Sequence, residues 1–470
     1  MIAMHAPFFI ERQADEQGNL GALPIYSSMA STFRTTGSAQ GPGETSDILI
    51  VAGSHGLPAT HARLQRVLEL AREFSFWNLP TDVVLLREGP LWDFESALVR
   101  RVALSTQEMR LVETEEAPRK GKWRSWLSKR PPSTSASGLV LGGEAHCPPS
   151  LLQLLEKSYA PRGYRAVICC GAQLAPVLSL FPAWTDRLLD VPRLGHFSYL
   201  THERHGRRDE YAAYADWSRE KSLLQSASTL IVGCALDALR LRKRGFPKDM
   251  ILLPPTGWVA DDTDVDESES VHQGRSAEED ACIVAIGVAT HANVDGLRWF
   301  ASEVMPQLRR RVPGAVLRIV GAAGEHVAES DGVQCVGRRD NLEPEYRRAQ
   351  VVALPLRLGD GLRRRAVEAL VRGKVLATTP TGANGIPLTP GVDAIIEETP
   401  SAMANQLGDV LLRAELRQQY QQRARFRAHE GFDPVRTFGM LGRRLGLSRQ
   451  VLQARAAARA LAEVPEPTNG

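Results

Sequence analysis

The chain has 470 residues, 43% of them hydrophobic and 24% charged, and its formal net charge at pH 7 is +3. This length exceeds what a single hydrophobic core usually organises, so we expect a globular protein of two domains. The small net charge argues against a nucleic-acid partner, and the sequence has no run of 18 apolar residues that would span a bilayer.

The amino-terminal segment, residues 1–45, is predicted to be a flexible lead-in. It runs into a stretch rich in Ser, Thr and Gly, TTGSAQGPGETS, which is typical of loops. The first residues show neither the charged region nor the long apolar core of a secretory signal. We therefore expect a cytoplasmic protein.

A first α/β domain is predicted for residues 46–258. It opens with the strand DILIVAG, continues with an amphipathic helix from Thr60 to Phe74 and returns in the strand TDVVLLRE. Strand and helix patterns go on alternating as far as MILLPPTG. This alternation indicates a parallel sheet with crossover helices.

Two polar segments stand apart from this alternation. Residues 113–137 are basic and carry Trp123 and Trp126, which suits contact with a membrane or an acidic acceptor, but equally a polar loop with two packed tryptophans. Residues 259–280 are acidic and lack apolar periodicity, so we expect an interdomain linker. The linker contains a DxD triplet at 264–266, which in a solvated acidic segment is best explained as accidental.

The cysteines are predicted to be buried and unmodified. Most of the six lie in apolar, strand-like runs such as YRAVICCGAQ and TLIVGCAL, as small hydrophobic residues do. No Cys or His spacing is that of a zinc site. We expect neither a disulfide nor a structural metal.

A second domain is predicted for residues 281–435, and its most informative segment is Pro355–Ala369, PLRLGDGLRRRAVEA. The apolar run Val351–Leu356 predicts a buried strand, and a helical pattern follows the Gly-Asp-Gly turn at 359–361. Glycines let the backbone approach a ligand closely, and the first N–H groups of a helix attract anions. The segment therefore predicts an anion site.

The helix that follows the turn carries groups suited to a nucleotide diphosphate. Arg363 and Arg365 lie in its first turn, where they would neutralise phosphate oxygens, and Glu368 would accept hydrogen bonds from ribose hydroxyls. The alternative is that Glu368 pairs with Arg364 or Arg365 on an ordinary solvated helix face.

The stretch Cys282–Phe432 resembles the C-terminal half of a GT-B glycosyltransferase, closest to the retaining family called family 4. The resemblance extends in order through IVAIGVATHANVDGLRWF, VMPQLRRRVPGAVLRIVG and VQCVGRRDNLEPEYRRAQVVALPLRLGDGLRRRAVEALVRGKVLATTPTGANGI. In that family the glutamate of the EA pair, here Glu368-Ala369, binds the ribose, and the glycine-rich turn receives the diphosphate and the sugar. The donor-binding residues expected from it are Gly287, Asn293, Gly337, Arg338, Gly359, Asp360, Gly361, Leu362 and Glu368.

The resemblance implies an α/β fold of the GT-B class, with two Rossmann-like domains facing each other across a cleft and a C-terminal helix crossing back. The segment 436–470 would supply that helix. Its apolar positions, which include Phe438, Leu441 and Leu445, keep a helical period that suits docking on protein. Because the segment also contains several arginines, an amphipathic membrane anchor is the alternative interpretation.

Two positions depart from the family pattern. Many members carry glutamate eight residues before the EA glutamate, where this chain has Asp360, and the usual lysine of the turn is replaced by Arg365. Arginine keeps the charge but presents a planar fork in place of a compact ammonium group. Asp360 is expected either to contact donor-sugar hydroxyls or to cap the helix.

The first domain should supply the acceptor side, because ligands bind where the carboxyl ends of parallel strands meet. The acceptor-side candidates are Ser54, His55, Gly56, Arg63 and Gln173. Asp190 and His196 resemble the region where family members place an Asp or His near the reacting carbon. They complete a predicted catalytic set with Arg363 and Arg365. Each of His55, His61 and His196 has the alternative of being a plain surface or helix-capping residue.

The resemblance predicts transfer of a sugar from a nucleotide-activated donor, with retention and without a metal or other cofactor. The acceptor would be a glycan, lipid-linked or protein group in a bacterial surface polysaccharide, glycolipid or glycoprotein pathway. The enzyme would be cytoplasmic, with peripheral membrane contact possible. An alternative is a catalytically weak GT-B module that acts as a binding or scaffold subunit. An NAD(P)-linked enzyme fits poorly, because GDGLRR lacks the third glycine of the dinucleotide fingerprint.

Overall fold

The structure is a computed structural model that describes residues 32–34, 47–54, 59–87, 93–113, 147–191, 194–204, 216–246, 249–256, 281–339, 341–448 and 452. These residues form two α/β domains, each built around one sheet. The predicted basic loop, apart from Glu113, and the predicted linker 259–280 lie outside the described residues.

The first domain contains an eight-stranded sheet in the order β1-β4-β3-β2-β5-β6-β7-β8. Its strands are β1 (Thr32–Arg34), β2 (Ile48–Ser54), β3 (Thr81–Arg87), β4 (Glu108–Glu113), β5 (Ala166–Cys170), β6 (Asp186–Val191), β7 (Thr229–Val232) and β8 (Asp249–Leu252). Its helices are α1 (Ala59–Phe76), α2 (Asp93–Leu104), α3 (Pro149–Ser158), α4 (Gly195–Arg204), α5 (Trp217–Gln225) and α6 (Ala235–Lys243). A 3₁₀-helix, Ala172–Leu180, follows β5.

Strand β1 lies in the segment predicted as a flexible lead-in. Its residues Thr32–Arg34 pair antiparallel with residues 108–110 of β4. An edge strand leaves a row of backbone hydrogen-bonding groups open, and a further short strand satisfies them. The segment 1–45 therefore contributes one edge strand to the first sheet.

The second domain contains a six-stranded parallel sheet in the order β11-β10-β9-β12-β13-β14. Its strands are β9 (Cys282–Ile286), β10 (Val316–Val320), β11 (Val333–Gly337), β12 (Val351–Leu354), β13 (Val375–Thr378) and β14 (Ile395–Ile396). Its helices are α7 (His291–Trp299), α8 (Met305–Arg311), α9 (Glu343–Arg348), α10 (Arg364–Val371), α11 (Pro400–Leu412) and α12 (Ala414–Phe432). A π-helical turn, Phe300–Val304, joins α7 to α8.

Both sheets are covered on their two faces, which explains the nearly continuous apolar strands. In β2, for example, Ile48 and Ile50 belong to one core cluster, whereas Leu49 and Val51 belong to the cluster on the opposite face. Side chains alternate between faces along a strand, so a strand buried on both sides needs apolar residues at every position.

Each sheet has a point at which the order of its parallel strands reverses. The order reverses between β2 and β5 in the first sheet and between β9 and β12 in the second. Ligands bind to open α/β sheets outside the carboxyl ends of the strands at such reversals. The loops after β9 and β12 are therefore the expected nucleotide site.

The C-terminal helix returns to the first domain, as predicted. Helix α13 (Pro434–Arg444) is capped by Asp433, whose side chain accepts hydrogen bonds from the N–H groups of the first turn. Phe438 and Leu441 belong to the first-domain core, and the Phe438 ring lies 6.3 Å from that of Trp77. The apolar stripe therefore docks on protein, as one of the two alternatives had it.

Helix α13 ends at Arg444, and Gly446 has a φ of +74°. Glycine in this left-handed conformation commonly ends a helix. The apolar period continues to Leu452, which is again helical and whose N–H donates to the Ser448 carbonyl at 3.1 Å. Within the described segments, every helix is too short or too polar to cross a membrane.

Candidate active site

The loop between β12 and α10, residues 355–363, is called the glycine turn below. Gly359 and Gly361 have φ angles of +103° and +78°, which side chains disfavour. A Cβ atom on Gly359 would also collide with the Arg363 guanidinium. Arg363 occupies the N-cap position of α10, where its side chain makes no capping hydrogen bond. The turn thus brings a bare backbone and an arginine to the positive end of a helix.

Three consecutive arginines leave this helix start in different directions, because successive helix positions are rotated by about 100°. Arg363 lies against Gly359. Arg364 reaches the first domain, where its Nη1 and Nη2 atoms lie 2.7 and 3.3 Å from the two carboxylate oxygens of Glu69. Arg365 turns back along its own helix and donates to Glu368 Oε2 at 2.6 Å.

Glu368 is buried, with 5% of its surface exposed. Burial alone would raise its pKa, but the positive charges of Arg365 and Arg364 and the hydrogen bond from Tyr346 outweigh burial and lower the pKa. Tyr346 Oη donates to the same oxygen as Arg365, Oε2, at 2.8 Å. Glu368 does form the predicted pair with Arg365, but the pair is not on a solvated face. The sequence also gave no sign of Tyr346.

Asp360 is buried in the glycine turn and is held from both sides. Arg240, on α6 of the first domain, donates to Oδ2, and Asn384 donates to Oδ1 at 2.5 Å. The alternative that Asp360 caps the helix is wrong, because the N-cap is Arg363. Neither Arg240 nor Asn384 was a candidate. Asn384 lies in the quoted TTPTGANGI motif, whereas no local pattern marks Arg240.

The second candidate loop follows β9, the neighbour of β12. A Cβ atom on Gly287 would lie 3.5 Å from the Asn293 side chain, so the two predicted residues are adjacent. Asn293 Nδ2 donates to the carbonyl of Val288 at 2.9 Å and thereby fixes this loop. Gly321 packs closely on Gly287. A Cβ atom on Gly321 would collide with the carbonyl oxygen of Gly287.

The remaining donor-side candidates lie around these loops. Gly337 ends β11 with a φ of +75°, and the exposed Arg338 follows it. The Gly337 carbonyl accepts a hydrogen bond from Gly321 N at 2.7 Å, which ties the end of β11 to the loop region after β10. Leu362 packs close to Gly385, since a Cβ atom on Gly385 would lie 3.4 Å from the Leu362 Cβ.

In the first domain, Asp190 is held by an arginine. It is the penultimate residue of β6, with 1% of its surface exposed, and it accepts hydrogen bonds from Arg66 Nε to Oδ2 at 2.9 Å and from Nη2 to Oδ1 at 3.1 Å. Such a two-point contact restricts the carboxylate. In this conformation Asp190 neutralises Arg66.

His196 lies in an aromatic group and is 8% exposed. Its ring centroid is 5.6 Å from that of Trp217 and 6.5 Å from that of Tyr199. The carboxylate of Glu220 accepts from the backbone N–H groups of Gly195 and His196, so Glu220 caps α4. His196 is therefore not a surface histidine.

The acceptor-side candidates are only partly described. Ser54 ends β2 without a described side chain, and His55 and Gly56 lie outside the described residues. Arg63 Nη1 donates to the carbonyl of Gly53 at 3.0 Å, which places Arg63 at the carboxyl end of β2. Gln173 follows β5 and is 8% exposed, and its Nε2 atom has no hydrogen-bond partner among the described residues.

A row of alternating charges connects the domains. Asp190 binds Arg66, Arg66 Nη1 lies 3.6 Å from Glu69, and Glu69 binds Arg364. Asp360 and Arg240 form a second ion pair between the domains. The first connection ends on Arg364, the first residue of α10, and the second ends on Asp360 in the glycine turn. The proposed nucleotide site is therefore also where the two domains are linked.

Among the described residues, no three His, Cys, Asp or Glu side chains converge as metal ligands would. The acidic triplet at 264–266 lies outside those residues. All six cysteines are free, and four of them are buried.

Residues 280–413 match the family model described as glycosyl transferases group 1. Solved structures resemble the chain over most of its length. HepE from Anabaena, solved with UDP and glucose, is 12% identical, covers 85% of this chain and 99% of its own, and has a TM-score of 0.53. Sucrose-phosphate synthase from Thermosynechococcus elongatus is 16% identical, with coverage of 85% and 98% and a TM-score of 0.53.

A third similar structure is a TarM variant from S. aureus, solved with fondaparinux, alpha-GlcNAc-glycerol and UDP. It is 10% identical, with coverage of 83% and 98% and a TM-score of 0.56. No curated protein sequence matches the chain. Residues 280–413 thus match the group 1 glycosyltransferases, and the chain as a whole has the GT-B fold that its sequence predicted.

Proposed function

We propose that the protein is a glycosyltransferase that moves a sugar from a nucleotide-diphosphate sugar to an acceptor in a bacterial surface polysaccharide, glycolipid or glycoprotein pathway. The observation that carries the proposal is Glu368, a buried carboxylate with a lowered pKa that pairs with Arg365 in the helix that follows the glycine turn. A ribose with two hydroxyls and a diphosphate need these two kinds of group side by side.

Stabilisation of the leaving group follows from the glycine turn. When the bond between the sugar and the diphosphate breaks, negative charge grows on the phosphate oxygens. In the proposed mechanism Arg363, Arg365 and the start of α10 meet that charge, without a divalent ion. Arg365 donates to Glu368 through Nη1, and its guanidinium has further N–H donors for the phosphate.

We further propose transfer with retention by front-face attack, with the leaving phosphate assisting as base. A double displacement needs a carboxylate that is free to attack the sugar. Asp190 is the predicted first-domain carboxylate, and both of its oxygens accept from Arg66. This engagement supports the front-face route.

The proposed enzyme works with its domains closed over the donor. The Arg364–Glu69 and Asp360–Arg240 pairs link the domains beside the turn, and closure at this point would exclude water from the reacting sugar. In this proposal the enzyme is cytoplasmic. The basic segment 113–137 would make any contact with the membrane surface.

One observation favours a second candidate, a binding or scaffold module with little turnover. Asp360 occupies the position where many family members carry glutamate, and both of its oxygens are engaged by Arg240 and Asn384. A carboxylate held in this way contacts a donor sugar only after it is released. Such a module would bind a nucleotide sugar and release no free nucleotide over time.

The test is calorimetry with UDP, GDP and dTDP and their glucose conjugates on the wild type and on Glu368→Gln. We expect the variant to lose about tenfold or more in affinity, because hydrogen bonds to a charged group contribute about 1.5–3 kcal/mol. HepE and TarM were solved with UDP, which makes UDP the first probe.

Glu345→Gln is the matched control, since Glu345 is a buried carboxylate of the same domain that pairs with Arg318 at 3.2 Å. It should lower the melting temperature and leave nucleotide affinity unchanged. Equal affinities in the wild type and Glu368→Gln would contradict the proposal. Turnover of the bound nucleotide sugar separates the enzyme from the binding module.

A further inference from the structure

Tyr346 is a buried tyrosine that holds the proposed ribose-binding carboxylate. It lies on α9, just before β12, and is 1% exposed. Its hydroxyl donates to Glu368 Oε2 at 2.8 Å. A buried tyrosine normally needs such a polar partner, but here the partner is the carboxylate on which the proposed function depends.

The ring of Tyr346 also packs against an arginine, Arg372. The Arg372 guanidinium carbon lies 4.2 Å from the ring centroid, within the range of a cation–π contact. Arg372 Nε donates to Glu343 Oε2 at 2.9 Å, so the arginine is anchored on the same helix as Tyr346. The hydroxyl is thereby kept on Glu368.

The two oxygens of Glu368 are used unequally. Oε2 accepts from Tyr346 at 2.8 Å and from Arg365 at 2.6 Å, whereas Oε1 accepts no hydrogen bond from the described residues. A carboxylate oxygen has about two acceptor sites. The sites of Oε2 are therefore filled, and those of Oε1 remain for a ligand with two neighbouring hydroxyls.

We propose that Tyr346 is a positioning residue that fixes the Glu368 carboxylate so that Oε1 presents both acceptor sites to the ribose of a nucleoside diphosphate. This inference rests on the proposed function. The torsion that turns a glutamate carboxylate is broad and only weakly confined by itself. Arg365 and Tyr346 donate to the same oxygen from two different helices, so that oxygen is held between two donors and the carboxylate is restrained from turning.

With Tyr346 in this role, discrimination of ribose from deoxyribose depends on a side chain that does not contact the ribose. Without the hydroxyl, Glu368 can turn toward Arg365 and share both oxygens with it. The ribose then loses its prepared acceptors, while the glycine turn still receives the diphosphate. The preference for ribonucleotides over deoxyribonucleotides should fall, with a smaller change in binding of the deoxy form.

The experiment is calorimetry of Tyr346→Phe with UDP, GDP and ADP, followed by the 2′-deoxy form of the diphosphate that binds the wild type most tightly. We expect the wild type to prefer the ribo form about tenfold or more, the value of one charge-assisted hydrogen bond. In Tyr346→Phe this preference should shrink to about threefold or less, which is the loss of most of that bond. Phenylalanine keeps the ring on which Arg372 packs, so we expect the variant to fold.

Tyr164→Phe is the matched control. Tyr164 is buried in the first domain and donates to Asp82 Oδ2 at 2.6 Å, so the substitution removes an equivalent buried hydroxyl far from the turn in sequence. It should lower the melting temperature and leave the ribo-to-deoxy ratio at the wild-type value.

The outcomes distinguish failure of the proposed function from failure of the positioning role of Tyr346. If no nucleoside diphosphate binds the wild type, the proposed function fails, and this inference fails with it. If a diphosphate binds and Tyr346→Phe weakens the ribo and deoxy forms equally, or leaves both unchanged, the proposed function stands and the positioning role of Tyr346 is overturned.

Discussion

The two domains use charge differently at the ends that carry the candidate residues. In the second domain, Arg363 lies at the glycine turn, Arg365 in the first turn of α10 holds the carboxylate of Glu368, and one oxygen of that carboxylate remains for a ligand. In the first domain, the predicted catalytic residue Asp190 is neutralised by Arg66. Under the proposed function, charges in the second domain serve the donor, whereas the described first-domain charges stabilise the domain and link it to its neighbour.

Removing Asp190 tests the first-domain half of this comparison and should have the largest effect. Asp190→Ala leaves the buried Arg66 without its main counter-charge, so we expect the free energy of unfolding to fall by about 3–5 kcal/mol. The measurement is urea denaturation. Asp186→Ala, on the same strand, is the control: its pair with Arg444 is partly exposed, and its loss should cost about 1 kcal/mol or less. Normal stability with abolished turnover would instead make Asp190 catalytic.

Replacing Arg365 tests the second-domain half. We expect Arg365→Ala to lower kcat by about 100-fold or more, the scale for one preorganised group that stabilises developing charge. Arg365→Lys should recover part of the loss. Arg318→Ala is the control, because Arg318 pairs with the buried Glu345 in the same domain. Steady-state kinetics decide, and an unaltered kcat in Arg365→Ala would limit this arginine to holding Glu368.

Breaking the ion pair between Glu69 and Arg364 tests whether the link between the two domains contributes to turnover. Glu69→Gln keeps the size of the side chain but removes the charge that holds Arg364. We expect kcat to fall about fivefold, equivalent to about 1 kcal/mol for a partly buried pair, with the nucleotide Kd unchanged. Glu108→Gln, which disturbs a pair with Arg162 inside the first domain, should not change kcat. A weakened nucleotide Kd in Glu69→Gln would place Glu69 in the donor site itself.

Chelation should have the smallest effect. If arginines and a helix start stabilise the leaving diphosphate, EDTA should leave turnover unchanged, because no divalent ion takes part in the proposed step. The measurement is the initial rate with and without EDTA, using a metal-dependent glycosyltransferase as control. Loss of activity that manganese or magnesium restores would point back to the acidic triplet at 264–266.

Prediction from sequence succeeded where the signal is local. The strand, turn and helix around Gly359 and Glu368 follow from neighbouring residues, and so does the apolar stripe of α13. The contacts that define the site more finely are distant in sequence. Arg240 reaches Asp360 across 120 positions and Glu69 reaches Arg364 across 295, so no periodicity or spacing reports them. Tyr346 is separated from Glu368 by a whole strand, and its role depends on how α9 packs.

The return of α13 to the first domain determines when that domain can finish folding. Phe438, Leu441 and Leu445 complete a core that begins with Ile48 and includes Trp77. A ribosome makes this core's first strand long before its last helix, and the whole second domain emerges in between. The first domain must therefore wait with an open apolar surface for the end of the chain, a state in which partly folded proteins tend to aggregate. A fragment that stops after β8 should show this directly: we expect poor solubility, restored by supplying residues 434–452 as a separate peptide.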